Sequence, residues 1–389
     1  MWTILLISLI QMPQMSVMPA IDTIANEMDL SLSAVQTAMS LTSIVSVITG
    51  VSSAMLIRFG IFSKKTITVL GCASIALTGA ASLVFNSAFW HLALFSTLIG
   101  TGMGIMIPTA QSIMFDNFDG HMRQFIAGIQ SAFLNLGGII MSTLGGFLTT
   151  IVWYGGYLTT LIAVPVVLVG MIFIPKDKKI KPGEGQTRTK LPRKVFFYCT
   201  LVFTLATIFN VGPMNISTHL SHGNIGDAAT AGIATAVMMA GGVLMGFLFP
   251  KVSQLLGDRV LPLAFVVIAI GFTLLNLFHT SLIMTMAAMF LFGCGLSMMM
   301  PRCVFSVSNL TDPSNSSLAT MMILCVAPGT GSFLSPIIMT NLTYALAGDS
   351  TRFRFQFTGV LCILIAAAIT IYLVKHKSEE NNKNSGETS

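Results

Sequence analysis

Long apolar stretches follow one another along nearly the whole chain, and short polar connections separate them. A helix needs about 20 apolar residues to cross the hydrocarbon core of a bilayer. Windows of that kind run roughly over 2–21, 34–56, 66–86, 89–112, 124–148, 156–174, 195–217, 228–250, 260–278, 281–305, 317–341 and 355–374. They are numbered here as helices 1 to 12, and the short connections predict antiparallel neighbours. One interval breaks the pattern. Lys176–Lys194 reads KDKKIKPGEGQTRTKLPRK, with eight of the twenty Lys and Arg residues, two Pro, two Gly and no apolar run. It predicts a water-exposed basic linker over 176–194 between membrane-embedded halves over 1–175 and 195–374, followed by a polar, disordered tail over 375–389. The first window has no basic stretch before it and no cleavage signal, so it reads as a retained helix.

Composition strengthens this reading. The chain has 389 residues, of which 54% are hydrophobic and 9% charged, whereas about a quarter of an ordinary soluble protein is charged. The fold class is therefore an all-α membrane protein with twelve transmembrane helices. The excess of cations reports on topology and not on nucleic acid, because short cytoplasmic loops retain Lys and Arg. With the linker cytoplasmic, Arg58, Lys64, Lys65, Arg123, Lys251, Arg259, Lys375, Lys377 and Lys383 fall on the same side, and Arg302 lies in that half of helix 10. Only Arg352 and Arg354 fall outside, so eighteen of twenty cations agree. Asp22, Glu27, Asp29, Asp227 and Asp349 lie at the external ends. Both termini are expected in the cytoplasm, in a cell membrane whose compact loops suit a bacterial cytoplasmic membrane. The six cysteines stand singly in apolar segments and suggest neither disulfides nor a metal site.

The halves repeat. Leu98-Ile99-Gly100-Thr101-Gly102 is followed by Pro108, and Leu291-Phe292-Gly293-Cys294-Gly295 is followed by Pro301, at a constant offset of 193. The same offset places Arg58 on Lys251 and Asp119 on Asp312. Two pseudo-symmetric six-helix bundles follow.

On these residues the chain resembles the major facilitator superfamily (MFS) of secondary transporters over essentially its whole length. A degenerate form of that family's loop motif G-x-L-x-D-R-x-G-R-[RK] follows helix 2. Arg58 and Gly60 match it, Ser53 and Ile57 replace the leading Gly and the Asp, and Lys64-Lys65 come after. Gly246, Leu248 and Lys251 keep part of it in the second half. Arg58, Gly60 and Lys251 thus read as a gating loop pattern. Many proton-coupled members carry an Arg in helix 4 where this chain has Ser96. The helix 5 motif of proton/drug antiporters, G-x-x-x-G-P-x-x-G-G, is reduced to Gly137, Gly145 and Gly146, with Met141 and Ser142 at its centre. The resemblance implies helices 1, 4, 7 and 10 around a central cavity, a small-molecule substrate, a coupling proton or ion, no cofactor and a functional monomer.

Polar side chains inside a bilayer are costly unless they face a cavity or another helix, so they are the candidates for a substrate path. Arg302 offers a permanent cation for an anionic substrate, against a reading as a headgroup or carboxylate anchor. Gln11 and Gln14 lie three residues apart on one face of helix 1. Gln111, Gln130, Asn135, Asn210 and Asn215 are further candidates, each weighed against plain helix-to-helix bonding. Asp22 is the carboxylate that could take up a coupling proton, and His219 and His222 could sense pH. Pro108, Pro165, Pro301, Pro328 and Pro336 mark expected bends. Nothing in the sequence suggests catalysis, metal binding or nucleotide binding. The leading reading is a secondary transporter of an organic anion or polar metabolite. Multidrug efflux is the alternative within transport, and a non-transporting membrane receptor the alternative of another class.

Overall fold

In the computed structural model the described residues are 2–59, 61–117, 120–173, 192–310, 319, 321–348 and 350–386, and every regular element among them is helical. Six of the twelve helices are single runs of mostly apolar or small residues: helix 2 (Leu32–Arg58), helix 3 (Lys64–Val84), helix 4 (Phe89–Asn117), helix 5 (Gly120–Thr149), helix 8 (Ala228–Leu256) and helix 10 (Leu282–Leu310). Helix 9 (Val260–Leu277) follows helix 8 through a three-residue turn, Gly257–Arg259. Helix 12 runs over Thr351–Gly386. The remaining four helices are segmented. Helix 6 comprises Gly155–Leu158, Thr159–Ile162 and Ala163–Phe173, and helix 7 comprises Arg193–Phe209 and Val211–His222. Helix 11 holds two π-helical turns, Met322–Val326 and Pro336–Thr340, beside Ala327–Ser335 and Asn341–Ala347. The wider turns occur where Pro328 and Pro336 remove backbone donors, so the bends expected there take the form of π segments.

The basic linker over 176–194 lies outside the described residues except for its last three, and Arg193 and Lys194 already belong to helix 7. The tail departs from expectation, since helix 12 continues to Gly386. An established helix extends at little cost, and Glu379 stands four residues from both Lys375 and Lys383, a spacing that favours helix.

Successive helices alternate in direction, which gives the bundle two ends. The basic end carries Trp2, Lys64, Lys251 and Arg259. The acidic end carries Glu27, Asp29 and Asp227. The two halves meet through helix 2 on helix 11, helix 5 on helix 8, and the Ile21–Glu27 segment of helix 1 on helix 7. The helix 5 and helix 8 pair is closest at the acidic end, where a side chain on Gly146 would strike Ala228 and Gly232 backbone atoms. Midway, a Cβ on Gly138 would lie 3.2 Å from Met239 Sδ, and one on Gly246 nearer the basic end would meet nothing within 4 Å. The interiors differ as well. The C-terminal half has one continuous buried cluster around Phe265, Phe272, Phe292 and Met299. The N-terminal half has two, one toward the basic end with Ile7, Ile10, Cys72 and Met106, the other toward the acidic end with Val17, Ile21, Val35 and Phe95.

Candidate transport path and gate

Helix 1 falls into four pieces: Trp2–Leu9, Gln14–Val17, Met18–Ala20 and Ile21–Glu27. Proline clashes with the carbonyl four residues before it and offers no donor in return. Pro13 accordingly ends the first piece at Leu9, and Pro213 ends the first piece of helix 7 at Phe209. Helix 5 accommodates the disturbed backbone. Gly137 packs on the Leu9 carbonyl and Gly145 on that of Ser16, and a Cβ at either position would overlap it.

Gln11 lies in the helix 1 break, 2% exposed, and its side-chain nitrogen has no hydrogen-bond partner. Gln14 begins the next segment and is also buried. Asn210 sits at the helix 7 break, where its amide donates to the Ala206 carbonyl at 2.7 Å and to Ser332 Oγ of helix 11 at 2.9 Å. Broken helices near the middle of a bundle are where transporters build polar sites, and Gln11, Gln14 and Asn210 lie at or beside such breaks. Gln130 is buried, Asn135 is partly exposed and donates back to the Ser131 carbonyl at 2.9 Å, and the side chain of Gln111 lies outside the description.

Asn215 belongs to a different assembly at the acidic end. Its Oδ1 accepts from Gln36 Nε2 of helix 2 at 3.0 Å and from an Arg354 guanidinium nitrogen of helix 12 at 2.5 Å. Gln36 also donates to the Met214 carbonyl at 2.9 Å and accepts from Thr340 Oγ1 of helix 11 at 2.8 Å. Arg354 Nε donates to Thr343 Oγ1 at 3.2 Å, and the whole side chain is 1% exposed. Ser33 donates to Asn341 Oδ1 at 2.6 Å, and Ser217 to the Pro19 carbonyl at 2.8 Å. These side-chain bonds between the halves all lie at the acidic end. No hydrogen bond between described residues joins the halves nearer the basic end. Met214 of helix 7 adds apolar burial to the same seam by packing into the N-terminal cluster.

Arg302 stands at the basic end, where Nε and a terminal nitrogen bond one oxygen of Asp258 at 3.1 and 2.6 Å. The pair is 17% and 49% exposed, and the guanidinium lies 5.8 Å from the Phe305 ring centre. Asp22 accepts from Asn26 at 3.3 Å and borders a cavity of about 570 Å³ at the acidic end, with Glu27, Asp227, Ser217 and Asn224. Asp227 also caps helix 8. The Thr230 amide and hydroxyl both donate to it, at 2.9 Å each, and hold its carboxyl below the ordinary value. His219 is buried beside the Phe355 ring, with its Nε2 at 3.4 Å from Thr285 Oγ1. Gly60 and the Arg58 side chain lie outside the described residues, and Lys251 is exposed. Among the described residues no three His, Cys, Asp or Glu side chains form a metal-binding group.

Gln36, Thr340 and Arg354 were not among the sequence candidates, because attention to helices 1, 4, 7 and 10 passes over helices 2, 11 and 12. Arg354 looked like a loop residue, yet helix 12 begins at Thr351. An Arg one residue from an apolar run was the available signal.

A family model described as the Major Facilitator Superfamily matches residues 3–223 and 195–388. No curated protein matches the sequence significantly. Solved structures of similar fold include the nucleoside transporter NupG, with 14% identity, a TM-score of 0.75 and coverage of 95% of this chain and 98% of that one. A bacterial homolog of the human lysosomal transporter Spinster has 16% identity, a TM-score of 0.68 and coverage of 96% of each chain. The human organic anion transporter MFSD10 has 15% identity, a TM-score of 0.66 and coverage of 94% and 97%. These likenesses show the same fold. With the family model matched over nearly its full length, the chain belongs to the major facilitator superfamily and is a membrane transporter, not an enzyme.

Proposed function

We propose that this secondary transporter carries a small, polar and largely uncharged metabolite by alternating access, and that the arrangement described is its inward-facing state. The observation that carries the substrate class is the pair of buried amides, Gln11 and Gln14, at the break in helix 1, with Asn210 at the break in helix 7. Amides both donate and accept, which suits hydroxyls, carbonyls and heterocycle edges. Nucleosides, the substrates named for NupG, are of that chemistry. An organic anion, the class named for MFSD10, is the competing substrate. The residue that favoured an anion, Arg302, is engaged with Asp258, and an exposed pair of this kind contributes only about 0–1 kcal/mol. That contact suits an anchor.

With the basic end in the cytoplasm by the positive-inside rule, the hydrogen bonds of Gln36, Ser33 and Ser217 close the external face of a cell-membrane protein. Release of that seam and closure at the basic end would complete the cycle. A coupling proton or ion belongs to this reading, and Asp22 is the group to test for it.

A thermal-shift screen of the purified monomer decides the substrate class, since a ligand stabilises the state it binds. Nucleosides and other neutral polar solutes should raise Tm, and Gln11→Leu or Gln14→Leu should remove the shift. A shift produced by carboxylates and lost in Arg302→Gln would transfer the assignment to anions. A shift produced by lipophilic cations would favour efflux of toxic compounds. Uptake into vesicles at imposed pH gradients, with Asp22→Asn, then tests the coupling.

A further inference from the structure

Between helices 1, 2, 4 and 6 of the N-terminal half lies a second cavity, of about 10 Å³, bordered by Gln14, Val17, Met39, Thr42, Ser96, Ile99 and Tyr157. Its apolar lining, Val17, Met39, Ile99 and Tyr157, belongs to the acidic-end cluster of that half. Four polar side chains border it, and none of them makes a hydrogen bond with a described residue. Serine and threonine in these helices usually bond a carbonyl three or four residues back, as Thr101, Thr109 and Thr160 do at 2.7–2.8 Å. Thr42 and Ser96 do not, although they are 3% and 2% exposed. The Tyr157 hydroxyl is fully buried with no partner, on a residue 1% exposed whose ring packs at 4.8 Å from that of Phe95.

A buried hydroxyl without a partner costs about 1–3 kcal/mol, and the Tyr157 hydroxyl at the border of this space is such a group. A water needs a volume of about 10–15 Å³ and two to four polar partners; this cavity supplies the first at the lower bound, and four polar residues stand at its border. We infer that the cavity is a binding site for one structural water, bridging Tyr157 and Ser96 and drawing on Gln14 and Thr42. The water joins the segment of helix 1 beyond the Pro13 break to helices 2, 4 and 6. The halves differ here. At the offset of 193, Ser96 and Ile99 correspond to Met289 and Phe292, both fully buried in the C-terminal core. Thr42 corresponds to Thr235, which bonds the Ala231 carbonyl at 2.9 Å. At the positions of Ser96 and Ile99 the C-terminal half therefore carries larger, buried apolar side chains, whereas Met39 and Tyr157 correspond to the smaller Gly232 and Ser350.

The test is thermal denaturation of the intact, ligand-free protein with Tyr157→Phe, Ser96→Ala and the double variant, together with a high-resolution density map. A hydrated site predicts that Tyr157→Phe lowers Tm by about 2 °C or more, that the double variant loses less than the sum of the singles, and that density stands within hydrogen-bond distance of both Tyr157 Oη and Ser96 Oγ. A Tyr157→Phe protein as stable as the original, or more so, would mean that the hydroxyl is dry and would overturn the assignment. A map in which Tyr157 bonds Ser96 directly, with no density between them, would overturn it equally.

Discussion

The two halves share a topology and an offset of 193 residues, yet they place their polar groups oppositely. The N-terminal half divides its core in two and sets Gln14, Thr42, Ser96 and Tyr157 around a cavity bordered by the acidic-end cluster. The C-terminal half keeps one continuous core, with Phe292 at its centre among Phe209, Phe272, Gly212 and Gly271. Its strongest polar group, Arg354, lies instead at the acidic end, near the seam with the other half. At the equivalent place the N-terminal half has Leu161, partly exposed. Duplication preserves a backbone path more strictly than it preserves what fills the interior. Either filling is stable provided every buried donor and acceptor finds a partner.

The sharpest way to break this comparison is Phe292→Ala, which should cost about 3–5 kcal/mol and lower Tm markedly in thermal denaturation. Ile99→Ala, its counterpart beside the cavity, should cost about 2 kcal/mol. Equal losses would mean that the two interiors are packed alike. Next in size is Arg354→Met, which removes charge-assisted bonds to Asn215 and Thr343 and should cost about 3 kcal/mol. Leu161→Met should cost under about 1.5 kcal/mol. Cross-linking between cysteines at Ser33 and Asn341 reads the consequence for the seam, and Arg354→Met should slow it. Gln36→Leu deletes two bonds donated and one accepted across the seam. It should shift the balance away from the closed acidic end by about 2 kcal/mol, read as a loss of the same cross-link with little change in helical content.

The smallest effect concerns the caps. Helix 2 is capped by the neutral Ser31 and helix 8 by Asp227. Hydrogen bonds depress the Asp227 pKa in the folded protein. Its extra stabilisation is therefore complete above the ordinary carboxylate pKa and is lost as the pH falls through the folded value. Asp227→Ser, which copies the cap of helix 2, should cost under about 1 kcal/mol near neutrality. The difference in Tm should vanish in acid, as a pH series of melting curves would show.

Much of the fold was legible in the sequence because a bilayer imposes length and apolarity on every crossing element. The windows for helices 4 and 8 begin at the residues where those helices begin, Phe89 and Ala228. Breaks were harder to read. Pro108 and Pro301 drew attention yet lie inside continuous helices, whereas Pro13 and Pro213 end theirs. A proline removes the same hydrogen bond in each case, and a glycine facing the freed carbonyl does not decide the outcome, since Gly137 faces that of Leu9 where the helix parts and Gly50 faces that of Gly104 where it does not. Periodicity within one helix carries no such information. The hydrogen-bonded seam was missed for a related reason. Gln36, Thr340 and Arg354 are ordinary singly and acquire meaning only when three separate helices bring them to Asn215. The cavity around Ser96 was equally illegible, since seven residues scattered over four helices line it.

The helix 5 and helix 8 pair carries one more consequence. Gly146 and Gly232 touch through their backbones at the acidic end, while Gly246 has free space around it. An alanine at Gly146 would therefore act as a doorstop one carbon thick. It would leave each half intact and forbid the two from shutting at that end, holding the carrier in the opposite pose. Alanine at Gly246 would go unnoticed in the closed arrangement, so, if the proposed alternating access holds, a single methyl group moved along one seam would select which end stays open.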